Sequence, residues 1–312
     1  MKRALTTILG ALLLVTANAQ TDKDRDHLLG HVLTVKTEVS EFITRNGKNV
    51  EGPRMPVQTI AYDARGNRIK RVDFNRDGSV AQTFTYTYDA EGRCTGYEDY
   101  MSGLETPRKH VYVLDTKGRK TEYSIIQPNG KPADEKYVYK YNPSGYKIAD
   151  ELYHKTSIIS RNQNSYDDQG RLTGQIFYNP DGSISAKIQN TFAADGKALE
   201  RIRYDDELVT YKVRYTYDNR GRLVETQTAG SFVDEEFNSE GHAAGRVVYV
   251  YKGKNQPKEA ITYNPDGSFR ERVVFDYDSE GNWTRRTRRV KAANGKEIPQ
   301  QIEYRTITYQ QN

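Results

Sequence analysis

Tyr178-Asn179-Pro180-Asp181-Gly182-Ser183 recurs letter for letter at 263–268. Shorter relatives, all Tyr-Asp-x-x-Gly, stand at 62–66, 88–92, 166–170, 217–221 and 277–281. An internal repeat points to one small unit copied along the chain, each copy burying its apolar side against its neighbours. The letters are those of a type I turn closed by a residue in the left-handed region. Asn179, like Asp63, stands first, where its side chain can accept a backbone bond. Pro180 pre-sets φ at the second position, and Gly182 takes a positive φ without a Cβ clash. A turn of this kind, with its bulge at the glycine, joins antiparallel strands.

Between turns the residues alternate. Phe84, Tyr86 and Tyr88 share one face while Thr83, Thr85 and Thr87 share the other. Tyr211, Val213, Tyr215 and Tyr217 alternate with Lys212, Arg214 and Thr216, and Tyr137, Tyr139 and Tyr141 repeat the pattern. Period-two alternation rich in Tyr, Thr and Val predicts half-buried strand.

The turn glycines carry a phase. Gly66 to Gly78, Gly118 to Gly130 and Gly170 to Gly182 are 12 apart, whereas Gly78 to Gly92, Gly182 to Gly196 and Gly267 to Gly281 are 14 apart. The turns at Gly66, Gly92, Gly170, Gly221 and Gly281 are Tyr-Asp types followed by Arg or Asn; those at Gly78, Gly182 and Gly267 are followed by Ser. In an up-and-down meander successive turns fall on opposite edges, so the repeat reads as a two-strand unit of 26 residues with one turn type per edge. Segments 153–157 and 204–208 stand where the phase demands a turn, and an excursion near 228–236 interrupts it.

The fold class predicted is all-β, an antiparallel hairpin array forming one long twisted sheet. Roughly seventeen strands exceed what an open sheet holds unsplit, so twist should curl it into a superhelical ribbon, a half-shell or a barrel. Residues 56–295 form the repeat domain. Residues 20–55 read as an N-terminal cap that pairs with the first repeat strand and shields its edge. Residues 296–312 read as a closing strand, alternating again over 302–309. Residues 1–19 read as a signal peptide: a basic start at Lys2 and Arg3, a short apolar run, and small residues Ala17 and Ala19 before cleavage. That run is too short for a membrane-spanning helix, and nothing downstream comes close. A secreted or periplasmic location is expected.

Lys and Arg number 47 against 42 acidic residues, and removing Lys2 and Arg3 leaves a net charge of +3, no basis for nucleic-acid binding. Mean hydropathy is low at −0.87, but the 24 tyrosines argue against disorder. A thin β-structure with one aromatic face fits both facts. The lone Cys94 has no disulfide partner and no base beside it in sequence, and reads as a half-buried strand residue.

The Tyr-Asp-x-x-Gly-Arg core, carried well by Tyr88-Asp89-Ala90-Glu91-Gly92-Arg93 and by Leu114-Asp115-Thr116-Lys117-Gly118-Arg119, resembles the YD repeat of RHS-type and teneurin proteins over most of 56–295. The resemblance implies an extracellular β-hairpin array, wound in large members into a hollow shell, in a family linked to carbohydrate binding, cell contact and toxin delivery. Nothing like that family's Asp-Pro-x-Gly autocleavage site follows the repeats. The expectation is a short, repeat-only exported member without the delivery role.

Candidate sites are few. His27 and His31 are four apart, but Leu28 stands where a zinc-protease helix needs Glu, and strand begins at Val32. Asp22, Asp24 and Asp26 imitate a calcium loop, yet His27 and Leu33 occupy its Gly and Glu positions. The turn aspartates already have a backbone-capping role, so no carboxylate pair is singled out for hydrolysis. His110, His154 and His242 stand singly, without a Ser or Cys nucleophile pattern. Arg285, Arg286, Arg288, Arg289 and Lys291 beside Trp283 form the concentrated basic run. It suits a late or edge strand guarded against mispairing, or a contact with a polyanion such as an acidic glycan or lipid head group. The tyrosine stripe reads as core, with a ligand platform as the alternative.

The expectation is therefore a non-catalytic exported repeat protein, needing no cofactor or metal, that binds a glycan or a protein at the cell envelope. Tyr215, Tyr249, Trp283 and Arg286 are its candidate binding residues. The alternatives are an envelope structural or assembly factor acting by sheet-edge pairing through Arg285–Arg289 or 302–309, and, behind it, a hydrolase.

Overall fold

The computed structural model describes residues 21–310, apart from 104–105, 128, 231, 235–237, 243–244, 252 and 254–255. The expected leader, residues 1–19, lies outside them, as do the side chains of 232–234 and 238–242, His242 included. A one-turn helix, α1 (Asp22–Arg25), precedes the long strand β1 (Val32–Arg45) and its short return β2 (Lys48–Glu51). The repeats begin with β3 (Met55–Tyr62), β4 (Arg68–Phe74), β5 (Val80–Tyr88), β6 (Cys94–Met101), β7 (Arg108–Leu114), β8 (Lys120–Ile126) and β9 (Pro132–Tyr141). They continue as β10 (Lys147–His154), β11 (Ser157–Tyr166), β12 (Leu172–Tyr178), β13 (Ile184–Phe192), β14 (Ala198–Asp205), β15 (Leu208–Tyr217) and β16 (Leu223–Gly230). The excursion forms a separate hairpin of β17 (Phe232–Asp234) and β18 (Asn238–His242). The meander resumes with β19 (Gly245–Tyr251), β20 (Pro257–Tyr263), β21 (Phe269–Tyr277), β22 (Trp283–Lys291) and β23 (Glu297–Tyr309). The fold is all-β and antiparallel, as the alternation predicted.

The 23 strand segments outnumber the roughly seventeen expected from the spacing of turn motifs. The hairpin between β6 and β7 and the connection between β19 and β20 carry no aromatic-Asp-x-x-Gly signature, β17 and β18 lie inside the excursion, and the N-terminal segment contributes its own hairpin. Segments 153–157 and 204–208 do turn, through two-residue hairpins with Lys155, Asp206 and Glu207 at positive φ.

The described residues divide into two compact units, one of 21–138, 153–155 and 273–310 and the other of 139–152 and 156–272. In the first, the terminal unit, β1 hydrogen-bonds β3 on one side and β23 on the other, so that Val35 faces both Ile60 and Ile307 across the ladder. Successive pairs then run from β3 to β9, with β22 flanking β23. The cap expected at the N-terminus thus pairs with the last strand as well as the first. Leu28, Val32, Val35 and Tyr62 form its buried cluster, with Ile60, Ile307 and Tyr309 packed against it. In the second, the central unit, β11 to β16 pair in succession and β19 and β20 follow. Ala149, Ala186, Ile188, Ala198, Tyr211, Val213, Ala260 and Ile261 are buried apolar residues of it.

The turns explain their letters. At Asp89 the backbone N–H donates to the Arg93 carbonyl at 3.0 Å, and the Gly92 N–H donates to the Asp89 carbonyl at 3.0 Å. The same pair of bonds recurs at the turns closing on Gly66, Gly78, Gly118, Gly130, Gly170, Gly182, Gly196, Gly221, Gly267 and Gly281, and also at Gly145, which closes Tyr141-Asn142-Pro143-Ser144-Gly145, and at Gly295. The two turn types then use different side chains. In the Asp type, Asp63 Oδ1 accepts from the backbone N–H groups of Arg65 and Asn67, and Asp89 Oδ2 accepts from Arg93 Nε at 2.6 Å. In the Ser type, Asp181 Oδ1 accepts from both the N–H and the hydroxyl of Ser183, while Asn179 donates its side-chain amide to Ser183 Oγ. Asn179 is therefore a donor here; the acceptor role expected of it belongs to Asp181.

The two turn types stand at opposite ends of the strands in each unit, and the ends differ. In the Asp-type row, a side chain from one turn often lies on the glycine of the next: a Cβ on Gly118 would stand 2.5 Å from Arg93 Cδ, and one on Gly221 would stand 2.9 Å from Lys197 Cε, although one on Gly196 would meet nothing within 4 Å. In the Ser-type row, a Cβ on Gly182 meets nothing within 4 Å. The tyrosine that ends a strand at this margin reaches sideways too: Tyr166 and Tyr251 donate their hydroxyls to the carbonyls of Lys147 and Leu223 at 2.9 and 2.8 Å, and the Tyr88 hydroxyl shares its one proton between the Arg68 carbonyl at 2.7 Å and Asp22 Oδ2 at 2.9 Å.

Gly182→Ala and Gly118→Ala should each lose about 1–2 kcal/mol through left-handed backbone strain at φ of +85° and +77°. Gly118→Ala must also dislodge Arg93, so its thermal midpoint should fall below that of Gly182→Ala. Equal midpoints by calorimetry would contradict the stacked-row account.

Candidate functional site

Alternation sets one face of the terminal unit. Directly opposed residues share a face, so the ladder places Phe84 with Asp99, Tyr86 with Tyr97, Tyr97 with His110, and Tyr112 with Tyr123, which in turn faces Tyr137. The result is an aromatic ladder across β5 to β9. Ring centroids are 6.1 Å apart for Phe84–Tyr97, 5.6 Å for Tyr86–Tyr97, 4.0 Å for the parallel Tyr97–His110 stack, 5.6 Å for Tyr112–Tyr123 and 5.8 Å for Tyr123–Tyr137. Each contact of this kind contributes about 0.5–1.5 kcal/mol beyond area burial. The tyrosines of this ladder are half-buried, and Tyr137 is 36 % exposed. The stripe is core at Tyr62 and Tyr211, which are buried, and partly open along β5 to β9.

A polar node sits within the ladder. Asp99, 2 % exposed, accepts a forked pair from Arg108, Nε to Oδ1 at 3.0 Å and Nη2 to Oδ2 at 2.5 Å, and a third bond from Gln82 at 3.1 Å. His110, 5 % exposed, shares a 2.8 Å hydrogen bond between Nδ1 and the Tyr123 hydroxyl, and its Nε2 faces Asp99 Oδ2 at 3.5 Å. Burial pushes His110 below its ordinary value; Asp99 opposes this and Arg108 adds to it. Burial works against the Asp99 charge, but the Arg108 guanidinium outweighs it and holds the carboxyl below its usual range. Burial raises the Tyr97 and Tyr123 phenols. The node therefore presents a neutral imidazole, a compensated carboxylate and protonated phenols, a set suited to holding hydroxyl-rich ligands by hydrogen bonds. Sequence reasoning passed over His110 because it stands alone. Its signal was its alignment with Tyr97, visible only once β6 and β7 are paired.

The residues expected to bind fall in two places. Tyr215 and Tyr249 belong to the central unit, where both face Thr226 or its neighbours on β16. Burial raises the Tyr215 phenol and pushes that of Tyr249 up to about 12, so both serve packing more than contact with solvent. Trp283 and Arg286 lie together in the terminal unit, the guanidinium carbon 4.8 Å from the ring centroid. Arg286 is engaged by Glu303 at 2.6 Å, with both side chains about a tenth exposed. Two more members of the basic run are likewise occupied. Arg285 reaches Asp276 at 3.8 Å, and Arg289 donates to the Glu297 carbonyl at 3.1 Å. β23, including 302–309, pairs with β22 and with β1, so no free edge exists there.

The N-terminal acids have structural partners. Asp26 accepts from one Arg68 nitrogen, Nη2, with both its oxygens, at 2.6 and 2.7 Å, and from the Tyr62 hydroxyl at 2.5 Å. Asp22 accepts from Tyr88 at 2.9 Å, and Asp24 closes a capping box with Thr21. α1 ends at Arg25, so His27 and His31 do not share a helix face. Among the described residues no group of three His, Cys, Asp or Glu could hold a metal ion. Burial raises the Cys94 thiol, the opposite of what a nucleophile needs. Beside the Gly66 turn the N-terminal segment leaves a cavity of about 410 Å³ lined by Lys23, His31, Asp63 and Arg65, among others.

No family model matches the chain, and no curated protein matches it. Among solved structures, the Tc holotoxin pore of Photorhabdus luminescens aligns over 78% of this chain and 16% of its own, at 12% identity and a TM-score of 0.32. The TcdB2–TccC3 structure aligns over 85% and 19%, at 11% identity and a TM-score of 0.33. A porin-like protein from Bacteroides uniformis aligns over 88% and 97%, at 13% identity and a TM-score of 0.37. The chain spans less than a fifth of the length of the toxin chains it matches. At these scores the likenesses carry no residue role or activity to this chain.

The node makes the fold acid-sensitive in two windows. His110 is depressed, so its stabilisation is complete above the unfolded value of about 6.5 and is lost as pH falls through the lower folded value. Asp99 is depressed as well, and its contribution is lost only below about 4. The urea midpoint should fall between about pH 7 and 5 in the wild type and less steeply in His110→Gln. An unchanged slope in His110→Gln would exclude His110 as the titrating group.

Proposed function

We propose that this chain is a non-catalytic exported binding protein that takes a glycan on the aromatic face of β5 to β9, at the cell envelope. The observation that carries this is the ladder of half-buried rings, spaced 4.0–6.4 Å, with the Asp99–Arg108–His110 node set among them. Flat rings offer the C–H faces of sugars a stacking surface, and the half-buried phenols add hydrogen bonds beside them. The repeats are of the YD type by their turn letters and period, and the leader-like residues 1–19 support export. The opposite face supports an aqueous setting. Lys70, Thr85, Thr87 and Lys109 are exposed there, where a lipid-facing strand would alternate apolar residues. For hydrolysis, the buried carboxylate is already neutralised by Arg108 and the phenols are held protonated. An assembly factor acting by edge pairing has no edge at 302–309 to offer.

A panel of neutral and acidic oligosaccharides, titrated calorimetrically against the protein without residues 1–19, should yield at least one ligand. Tyr97→Ala should weaken it about tenfold with the circular-dichroism spectrum unchanged. If no glycan bound, while crosslinking in envelope extracts captured one protein equally with wild type and Tyr97→Ala, the glycan reading would be lost to a protein partner.

A further inference from the structure

On the same face of the terminal unit, β22, β23, β1, β3 and β4 carry a second polar group whose charges do not balance. Arg286 is opposite Glu303 in the β22–β23 ladder, and both of its donating nitrogens go to Glu303 Oε2, at 3.0 and 2.6 Å. Arg68 is opposite Tyr62 and gives Nη2 to both oxygens of Asp26, while its own buried Nε has no hydrogen-bond partner. Arg305 is the third arginine. Among the described residues its guanidinium makes no hydrogen bond or ion pair, and its buried Nε has no partner. It lies flat on Trp283 with 3.8 Å between the guanidinium carbon and the ring centroid. Three arginines thus face two carboxylates, both already engaged. Burial pushes the Arg305 guanidinium down to about 10, and neighbouring Arg286 adds to the shift; Glu303, Tyr62 and Asp26 oppose it. A stacked, half-buried guanidinium with its donors unspent is costly unless something completes it.

We propose that Arg305, backed by Trp283, receives the carboxylate of a uronic acid unit, so that the bound ligand is an acidic glycan. This rests on the glycan reading and adds the charge of the sugar. The excess is one positive charge, which matches a singly charged carboxylate better than a phosphate. A planar guanidinium fork matches a carboxylate edge in two parallel bonds. The face is continuous with the aromatic ladder: Arg305 stands opposite Thr37, Thr37 opposite Gln58, Gln58 opposite Asp73 and Asp73 opposite Gln82. At about 4.8 Å per strand, the four steps from β23 to β5 span about 19 Å, within the reach of a short oligosaccharide. Trp283, singled out from sequence for its basic neighbours, then acts through a residue on the adjacent strand, while Arg286 is held by Glu303.

Tetragalacturonic acid and the neutral β-1,4-galactotetraose separate the possibilities, and Trp283, the chain's single tryptophan, reports occupancy by its fluorescence. The acid should bind at least about tenfold more tightly at low salt and shift the Trp283 emission. Arg305→Gln should erase the preference while sparing affinity for the neutral sugar, and Arg305→Lys should keep part of it. Should Arg305→Gln fail to fold, the wild-type emission and Arg305→Lys still decide. Equal binding of the two sugars, or a preference surviving in Arg305→Gln or Arg305→Lys without any emission change, overturns the assignment and leaves the glycan reading standing. Binding of neither, with a blank wider panel, removes both.

Discussion

The structure depends on β1 being hydrogen-bonded along both sides. Val35 meets Ile60 on one strand and Ile307 on another that lies more than two hundred residues away in the chain. Repeat strands supply only neighbour-to-neighbour contacts, and an array of them ends in exposed ladders. β1 occupies the ladder of the first repeat strand and that of the last together. Its apolar face, Val32, Val35 and Val39, is buried in doing so. The cost of closing so long a loop grows only slowly with its length, whereas the bonds gained on both flanks scale with the strand. The N-terminal acids reinforce this seam, since Asp26 ties α1 to Arg68 and Tyr62 on the strands beside it.

The turns were legible in the sequence because each is decided by five or six adjacent letters. The period, the two turn chemistries and the degenerate turns at Lys155 and Asp206 all follow from local φ preferences and side-chain reach. The alternation of Phe84, Tyr86 and Tyr88 against Thr83, Thr85 and Thr87 was legible for the same reason. What the letters could not show was pairing at a distance. β1 sitting against β23 has no local signal. The alignment of Tyr97 with His110, and of both with Tyr123, appears only when three strands are laid side by side.

The candidate site divides along the same line. Trp283 and Arg286 stood out as letters, and they do lie together, but the charge on Arg286 is consumed by Glu303 from the next strand. Arg305, in a stretch that stood out only as a strand, carries the uncompensated charge. A basic run in sequence therefore measures supply, and the strand opposite sets what remains. The half-buried state of the tyrosines of β5 to β9 goes with the low hydropathy, which leaves few large aliphatic residues to pack against the rings.

The two rows of turns differ in how much change they admit. Along the Asp-type row, side chains such as Arg93 and Lys197 lie on the glycine of the next turn, so lengthening one turn disturbs two. Along the Ser-type row, glycines such as Gly182 face open space, and there the chain inserts its extra hairpin, β17 and β18, between β16 and β19 without breaking the pairing of those strands. Each unit thus has one margin closed to novelty and one open to it. New loops, and the specificities they bring, can accumulate on the open margin while the sheet beneath keeps its register.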